Sequence, residues 1–172
     1  RQYFHHVEAF PRAVSAVHSA CPDREGRRML AENLAEEEGI EAGKQIVLYP
    51  GDLEVSSGAE VMRALVEPLR RRFPDVVVVL SYRNKTPRAA ERAAALQAAL
   101  AGMPVRITSN VSSMISLLAA SRVVLFPVDD LWGKVDQPIV LLEALALGVP
   151  CVVLDQGPLR DVVGAIKVPS LQ

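Results

Sequence analysis

The sequence predicts an α/β fold, a parallel sheet flanked by helices. Two observations carry that expectation. From Gln45 onward short apolar runs alternate with longer helical stretches, and the runs are β-branched and nearly continuous in apolar character. Strands of that kind are covered on both faces, and their alternation with helices builds βαβ units. Composition agrees: 50% of the residues are hydrophobic but only 5% aromatic, so the core is filled by Ala, Leu and Val, as where helices pack on a parallel sheet.

In order, the first strand is Gln45–Tyr49 (QIVLY), followed by Pro50-Gly51-Asp52 and a helix over Gly58–Phe73 with Ser56 and Ser57 at its start. Pro68 falls inside that helix and is expected to kink it or shift its end. The second strand is Asp75–Ser81, and the next helix, Pro87–Ala101, opens with a capping Thr86 and a first-turn proline. A strand at Pro104–Thr108, a helix at Ser112–Ala120 and a strand at Arg122–Pro127 follow. Last come a helix at Pro138–Leu147, opened by proline and closed by Gly148, and a strand at Pro150–Asp155. That helix reads as short and buried.

The first residues differ. Asp23–Gly39 reads as a charged helix with a narrow stripe of Met29, Leu30 and Leu34, and a helix broken near Pro11 precedes it. Residues 1–44 therefore read as an N-terminal helical segment that packs on the domain or on a missing neighbour, and residues 45–172 as the α/β domain. At 172 residues the chain fits one domain. A net charge of −1 gives no global field that recruits nucleic acid. Cys21 and Cys151 read as reduced thiols of a cytosolic protein, not as a disulfide or metal framework. No signal peptide is visible and no apolar run reaches a membrane span; peripheral membrane contact through another domain stays open. His5, His6 and His18 read as surface residues, and no metal-ligand spacing occurs.

The most specific stretch is Val135–Asp155, VDQPIVLLEALALGVPCVVLD. A helix N-terminus aimed at a cleft attracts anions such as phosphate, and a carboxylate one turn further in, Glu143, can accept hydrogen bonds from sugar hydroxyls. The stretch resembles the signature of the GT-B glycosyltransferases, in particular the retaining group 1 family with paired glutamates eight positions apart. Glu143, Ala144, Ala146, Gly148, Pro150, Val152 and Val153 match in register. Val135 stands where the first glutamate is expected, with Asp136 its nearest substitute, and Pro138 replaces the family's glycine.

The resemblance runs from about Ile46 to Val163 and implies a Rossmann-like, C-terminal, donor-binding half of such an enzyme. A separate acceptor-binding domain would complete it. It implies that Glu143 binds the donor ribose, and that Gly51 is the loop glycine where backbone approaches the ligand. The family's diphosphate-clamping Arg and Lys are replaced by Asp52 and Ser57. Arg83 and Lys85, at the next strand end, can take over by neutralising a diphosphate, or they are solvated loop charges. Asn110 and Val111 match the position where backbone groups read the base; the alternative is a turn residue at Asn110 with Ser112 as a helix cap. Lys134 and Asp136 would sit beside the phosphate-binding helix start at Ile139 and Val140, and Trp132 either packs on a sugar or nucleobase or anchors the loop. For Glu143 the alternative to ribose binding is a buried carboxylate capped locally.

Together these imply catalytic roles for Glu143, Asp136, Arg83 and Lys85. They imply donor binding by Gly51, Arg83, Lys85, Asn110, Val111, Lys134, Ile139, Val140 and Glu143, with no metal. The donor is a UDP- or GDP-sugar. The competing reading is a degenerate, non-catalytic module that regulates or scaffolds a partner. A sugar-nucleotide epimerase would need an acid and histidine cluster that is not found, and no Gly-x-Gly-x-x-Gly marks a dehydrogenase.

Overall fold

The computed structural model describes residues 44–111, 113–131 and 137–169, together with Glu25 and Met29. Six strands form one sheet: β1 Gln45–Tyr49, β2 Val76–Tyr82, β3 Val105–Ser109, β4 Ser121–Phe126, β5 Cys151–Leu154 and β6 Ile166–Val168. All pairings are parallel, in the order β3-β2-β1-β4-β5-β6. Between them lie α1 Gly58–Arg72, α2 Pro87–Ala99, α3 Met114–Ala120 and α4 Ile139–Ala146, with a 3-10 turn at Gly157–Asp161 before β6. The expected α/β architecture and its five strands are present. The 3-10 turn and β6 were not anticipated.

Consecutive strand residues point to opposite faces, so burial of neighbours tests whether both faces are covered. Val78, Val79 and Leu80 are each at most 1% exposed, which meets that test for β2. α1 buries Gly58, Ala59, Met62 and Val66, a helical spacing that turns one face to the sheet. Glu60 of α1 accepts from Arg63 at 2.7 Å and from Arg92 of α2 at 2.8 Å, tying the two helices together. The Arg63 hydrogen bond is the main reason the Glu60 carboxyl lies below its ordinary range.

α1 runs through Pro68 to Arg72, so the proline does not end it. Both Pro68 and Ala64, whose carbonyl loses its helical partner there, are exposed, which leaves that carbonyl within reach of solvent. Pro68→Ala restores that bond and is expected to stabilise the fold by about 1 kcal/mol. The unfolded chain's gain in freedom offsets part of the helix gain. A urea melt checks it, and a destabilised variant would contradict this account.

Thr86 caps α2 as expected, its hydroxyl accepting from the Ala89 N–H at 3.1 Å. α4 ends in a Schellman motif. Gly148 sits at φ 75°, its N–H donates to the Leu145 carbonyl, and the Val149 N–H donates to the Ala144 carbonyl at 2.9 Å. The expectation of a buried helix here is corrected. Only Leu141 and Ala144 are fully covered, whereas Ile139 is 71% exposed. A single helix on a sheet buries one stripe, and this one has apolar residues outside that stripe as well. Cys151 is a free, buried thiol whose pKa burial pushes up to about 11. Residues 1–43 other than Glu25 and Met29, and with them Cys21 and the N-terminal helices read from sequence, lie outside the described residues.

Candidate functional site

In an open parallel sheet the ligand crevice lies beyond the carboxyl ends of the strands, where the strand order reverses. Here that point lies between β1 and β4, from which the sheet grows in opposite directions. Its floor is aromatic. Tyr49, at the end of β1, is fully buried, and its ring centroid lies 6.2 Å from that of Phe126 at the end of β4. The Tyr49 hydroxyl donates to the Asp52 carbonyl at 2.8 Å, and burial, first among the causes, raises its pKa.

The loop from β1 to α1 is folded around that tyrosine. A Cβ built on Gly51 would lie 2.2 Å from Tyr49 Cζ, and one on Gly58 would lie 2.6 Å from its hydroxyl. In the described structure, then, the close neighbour that requires glycine at position 51 is an aromatic ring of the chain itself. Asp52 Oδ1 accepts from the backbone N–H groups of Glu54, Val55 and Ser56 at 3.0, 2.6 and 3.4 Å. The Ser57 N–H donates to Asp129 Oδ1 at 2.9 Å, from a loop 72 residues away, and the Gly58 N–H donates to Ser56 Oγ at 3.3 Å. Ser57 precedes the helix and makes no side-chain cap to it; its own N–H is held by Asp129. Burial pushes the Asp129 carboxyl up, yet hydrogen bonds from the Ser57 backbone and hydroxyl outweigh it and leave the group below its ordinary range.

The neighbouring loops are stitched to this one. Thr86, while capping α2, donates its hydroxyl to Glu54 Oε1 at 2.7 Å. Gln156, after β5, donates to the carbonyls of Asp129 and Val128 at 2.8 and 3.4 Å. The Asn110 N–H, after β3, donates to the Tyr82 carbonyl at the end of β2. Asn110 has φ 53°, the left-handed turn conformation that asparagine tolerates, and Val111 packs partly buried against the core.

Arg83 and Lys85 stand in the loop after β2, held about a tight turn by the bond from the Lys85 N–H to the Arg83 carbonyl at 2.9 Å. Both side chains are exposed, and neither has a partner among the described residues. On the other side of the crevice the N-cap residue of α4 is Pro138, which makes no side-chain cap. Ile139 is exposed there, Val140 is partly buried, and Glu143 is half-buried with no side-chain partner among the described residues.

Trp132, Lys134 and Asp136 lie outside the described residues, as does Ser112. Among the described residues no group of three or more His, Cys, Asp or Glu is arranged to hold a metal ion. No described helix is long and apolar enough to cross a membrane. Asp129, Gln156 and Tyr49 were not singled out from the sequence. For Tyr49 a signal was available, an aromatic residue at a strand end followed by glycines at positions 51 and 58.

The class that this sheet defines is a Rossmann-like α/β protein with the fold of GT-B glycosyltransferases. Solved structures sharing it include a glycosyltransferase from Rickettsia africae, 14% identical with TM-score 0.66, covering 83% of this chain and 38% of that one. Another is Anabaena HepE in complex with UDP-glucose, 16% identical with TM-score 0.63, covering 81% and 38%. The catalytic domain of Arabidopsis thaliana starch synthase IV, bound to ADP and acarbose, is 16% identical with TM-score 0.61, covering 87% and 30%. The chain belongs to the family "Glycosyl transferases group 1", whose model matches residues 44–169. Among curated proteins it is similar to a 4-aminobenzoate synthase of Chlamydia trachomatis, 33% identical over 52% of this chain and 46% of that protein. A Chlamydia muridarum protein of the same name is 32% identical over 51% and 43%. The chain thus spans less than half the length of these relatives.

Proposed function

We propose that residues 45–172 form the donor-binding domain of a retaining, metal-independent glycosyltransferase, holding a UDP- or GDP-sugar while a further domain presents the acceptor. In this reading residues 1–44 are a separate helical segment. The observation that carries the proposal is the pairing at α4: a helix start whose N-cap, Pro138, makes no side-chain cap, with Glu143 half-buried one turn inside it and without a side-chain partner among the described residues. The HepE complex with UDP-glucose, on the same fold, supports it.

The chemistry follows from the parts. Arg83, Lys85 and the backbone at Ile139 and Val140 hold the diphosphate and offset its growing charge as the glycosidic bond breaks. Glu143 takes the ribose hydroxyls, Gly51 lets backbone approach the ligand, and the Asn110-Val111 turn presents backbone groups to the base. Lys134 and Asp136 complete the phosphate end. The test is calorimetric titration of UDP, GDP, ADP and their sugars. One diphosphate is expected to bind at micromolar Kd, and Glu143→Gln to weaken it by roughly 10- to 100-fold, as for hydrogen bonds to a charged group. An unchanged affinity in the variant would remove Glu143 from the site.

A second reading, the non-catalytic module, is favoured by one observation: internal carboxylates already fill the β1–α1 loop. It predicts no binding to any nucleotide by the folded chain. The likeness to the Chlamydia 4-aminobenzoate synthases makes 4-aminobenzoate formation by a longer protein a separate activity to assay.

A further inference from the structure

The two ends of the sheet differ in charge. Around its carboxyl end, Arg83 and Lys85 stand among the acids of the neighbouring loops, Asp52, Glu54, Asp129 and Asp155. At its amino end Lys44 precedes β1, Arg122 lies near the start of β4, and Arg70, Arg71 and Arg72 close α1 just before β2. The acids described there are Glu67 and Asp75. Glu67 is shared, accepting from Arg70 at 2.8 and 2.9 Å and from Arg71 at 2.8 Å. This end is therefore basic, although the whole chain has a net charge of −1. Two apolar side chains stand beside the cations. Phe73, in the loop that enters β2, is 47% exposed, and Met103, in the loop that enters β3, is 38% exposed. Those strands are neighbours, with Val78 in register with Val105 and its N–H donating to the Pro104 carbonyl at 2.9 Å, so the two loops lie side by side. The Arg72 guanidinium lies over the Phe73 ring, 5.5 Å from its centroid.

We infer that the amino end of the sheet docks on an anionic membrane surface. Phe73 and Met103 enter the headgroup layer, and Arg71, Arg72 and Lys44 meet anionic headgroups around them. Interfacial binding needs both ingredients, apolar side chains to bury and cations to draw the protein in, and this end has them together. Nucleic acid would use the cations and leave the Met103 thioether without a role; a bilayer uses both. The strands rise away from such a surface. β2, with seven residues, spans roughly 20 Å, so the crevice at the carboxyl end stays clear of the lipid and open to solution. No residue of the crevice takes part, and the inference stands apart from the donor reading.

The test is flotation of the full chain with vesicles of phosphatidylcholine alone, or mixed equally with phosphatidylglycerol, at low and high salt. Wild type is expected to float with the mixed vesicles and not with the neutral ones. Each basic residue near an anionic surface contributes about fivefold, so Arg71→Gln with Arg72→Gln should weaken binding roughly 30-fold at low salt, and less as salt screens the charge. Phe73→Ser and Met103→Ser should each weaken it about threefold or more at either salt, because apolar burial is not screened. Arg83→Ala with Lys85→Ala, at the other end, should bind like wild type; a loss there would move the contact to the crevice and overturn the inference. Circular dichroism establishes folding, and if Phe73→Ser does not fold, Met103→Ser decides by the same criterion. The inference is also overturned if wild type ignores the mixed vesicles, if it floats equally with neutral ones, or if the folded arginine and Met103 variants float like wild type. A salt-sensitive complex with a DNA duplex, formed by a chain that ignores vesicles and unchanged by Met103→Ser, would assign the patch to nucleic acid instead.

Discussion

Replacing Arg83 and Lys85 together with alanine is expected to weaken nucleoside-diphosphate binding by roughly 100-fold or more. Hydrogen bonds to charged groups contribute about 1.5–3 kcal/mol each, and these two cations stand at one strand end without a side-chain partner among the described residues. Both side chains are exposed, so the described fold does not lean on them. The unfolding midpoint should therefore stay put, as surface substitutions usually change stability by less than about 0.5 kcal/mol. Affinity measured against salt gives a second readout, since losing two phosphate contacts flattens the dependence. Arg83→Lys separates charge from shape: it keeps the charge and loses the planar fork. A loss below about threefold in the double variant would mean that the two are solvated loop charges and that the diphosphate, if bound, is held elsewhere.

The second large effect is on stability. Gly51→Ala places a methyl group 2.2 Å from the Cζ of a tyrosine that is fully buried and cannot swing aside. Overpacking of this kind costs about 1–3 kcal/mol, a fall in Tm of roughly 2–12 °C for a chain of this size. Two companion variants identify the cause. Tyr49→Leu in the Gly51→Ala background opens the space and is expected to recover part of the loss, a coupling that a double-mutant cycle measures. Tyr49→Phe removes only the hydroxyl, so it relieves Gly58→Ala, whose nearest neighbour is that oxygen, more than Gly51→Ala. If Gly51→Ala melts with wild type, the packing of this loop is looser than the geometry states.

The central strands were legible because a run such as VVVVLSY in β2 has one reading once helices flank it: a strand covered on both faces. β6 carries no such signal. Ile166-Lys167-Val168 is three residues long with a charge at its centre and lies at the sheet edge, where little is buried. Pro68 was expected to kink the helix or shift its end; α1 runs through it to Arg72, and the cost of the proline depends on whether the orphaned carbonyl faces water, which is a tertiary fact. In the candidate site, Arg83, Lys85 and Asn110 could be named from their places at strand ends. The Ser57–Asp129 bond could not, since nothing local in either residue marks a partner 72 positions away. Asp52 was read from sequence only as a missing cation. Its role in closing the turn follows from the habit of aspartate to accept from N–H groups just ahead of it.

The position of β1 bears on how the protein is made. It is the first of the described strands to leave the ribosome, yet it ends in the middle of the sheet, between β2 and β4. β2 and then β3 extend one side as they are synthesised, and β4, β5 and β6 extend the other in the same order. Each new strand therefore meets an edge that already exists, and none has to insert between two strands that have paired. The chain can assemble outward from its oldest strand as translation proceeds.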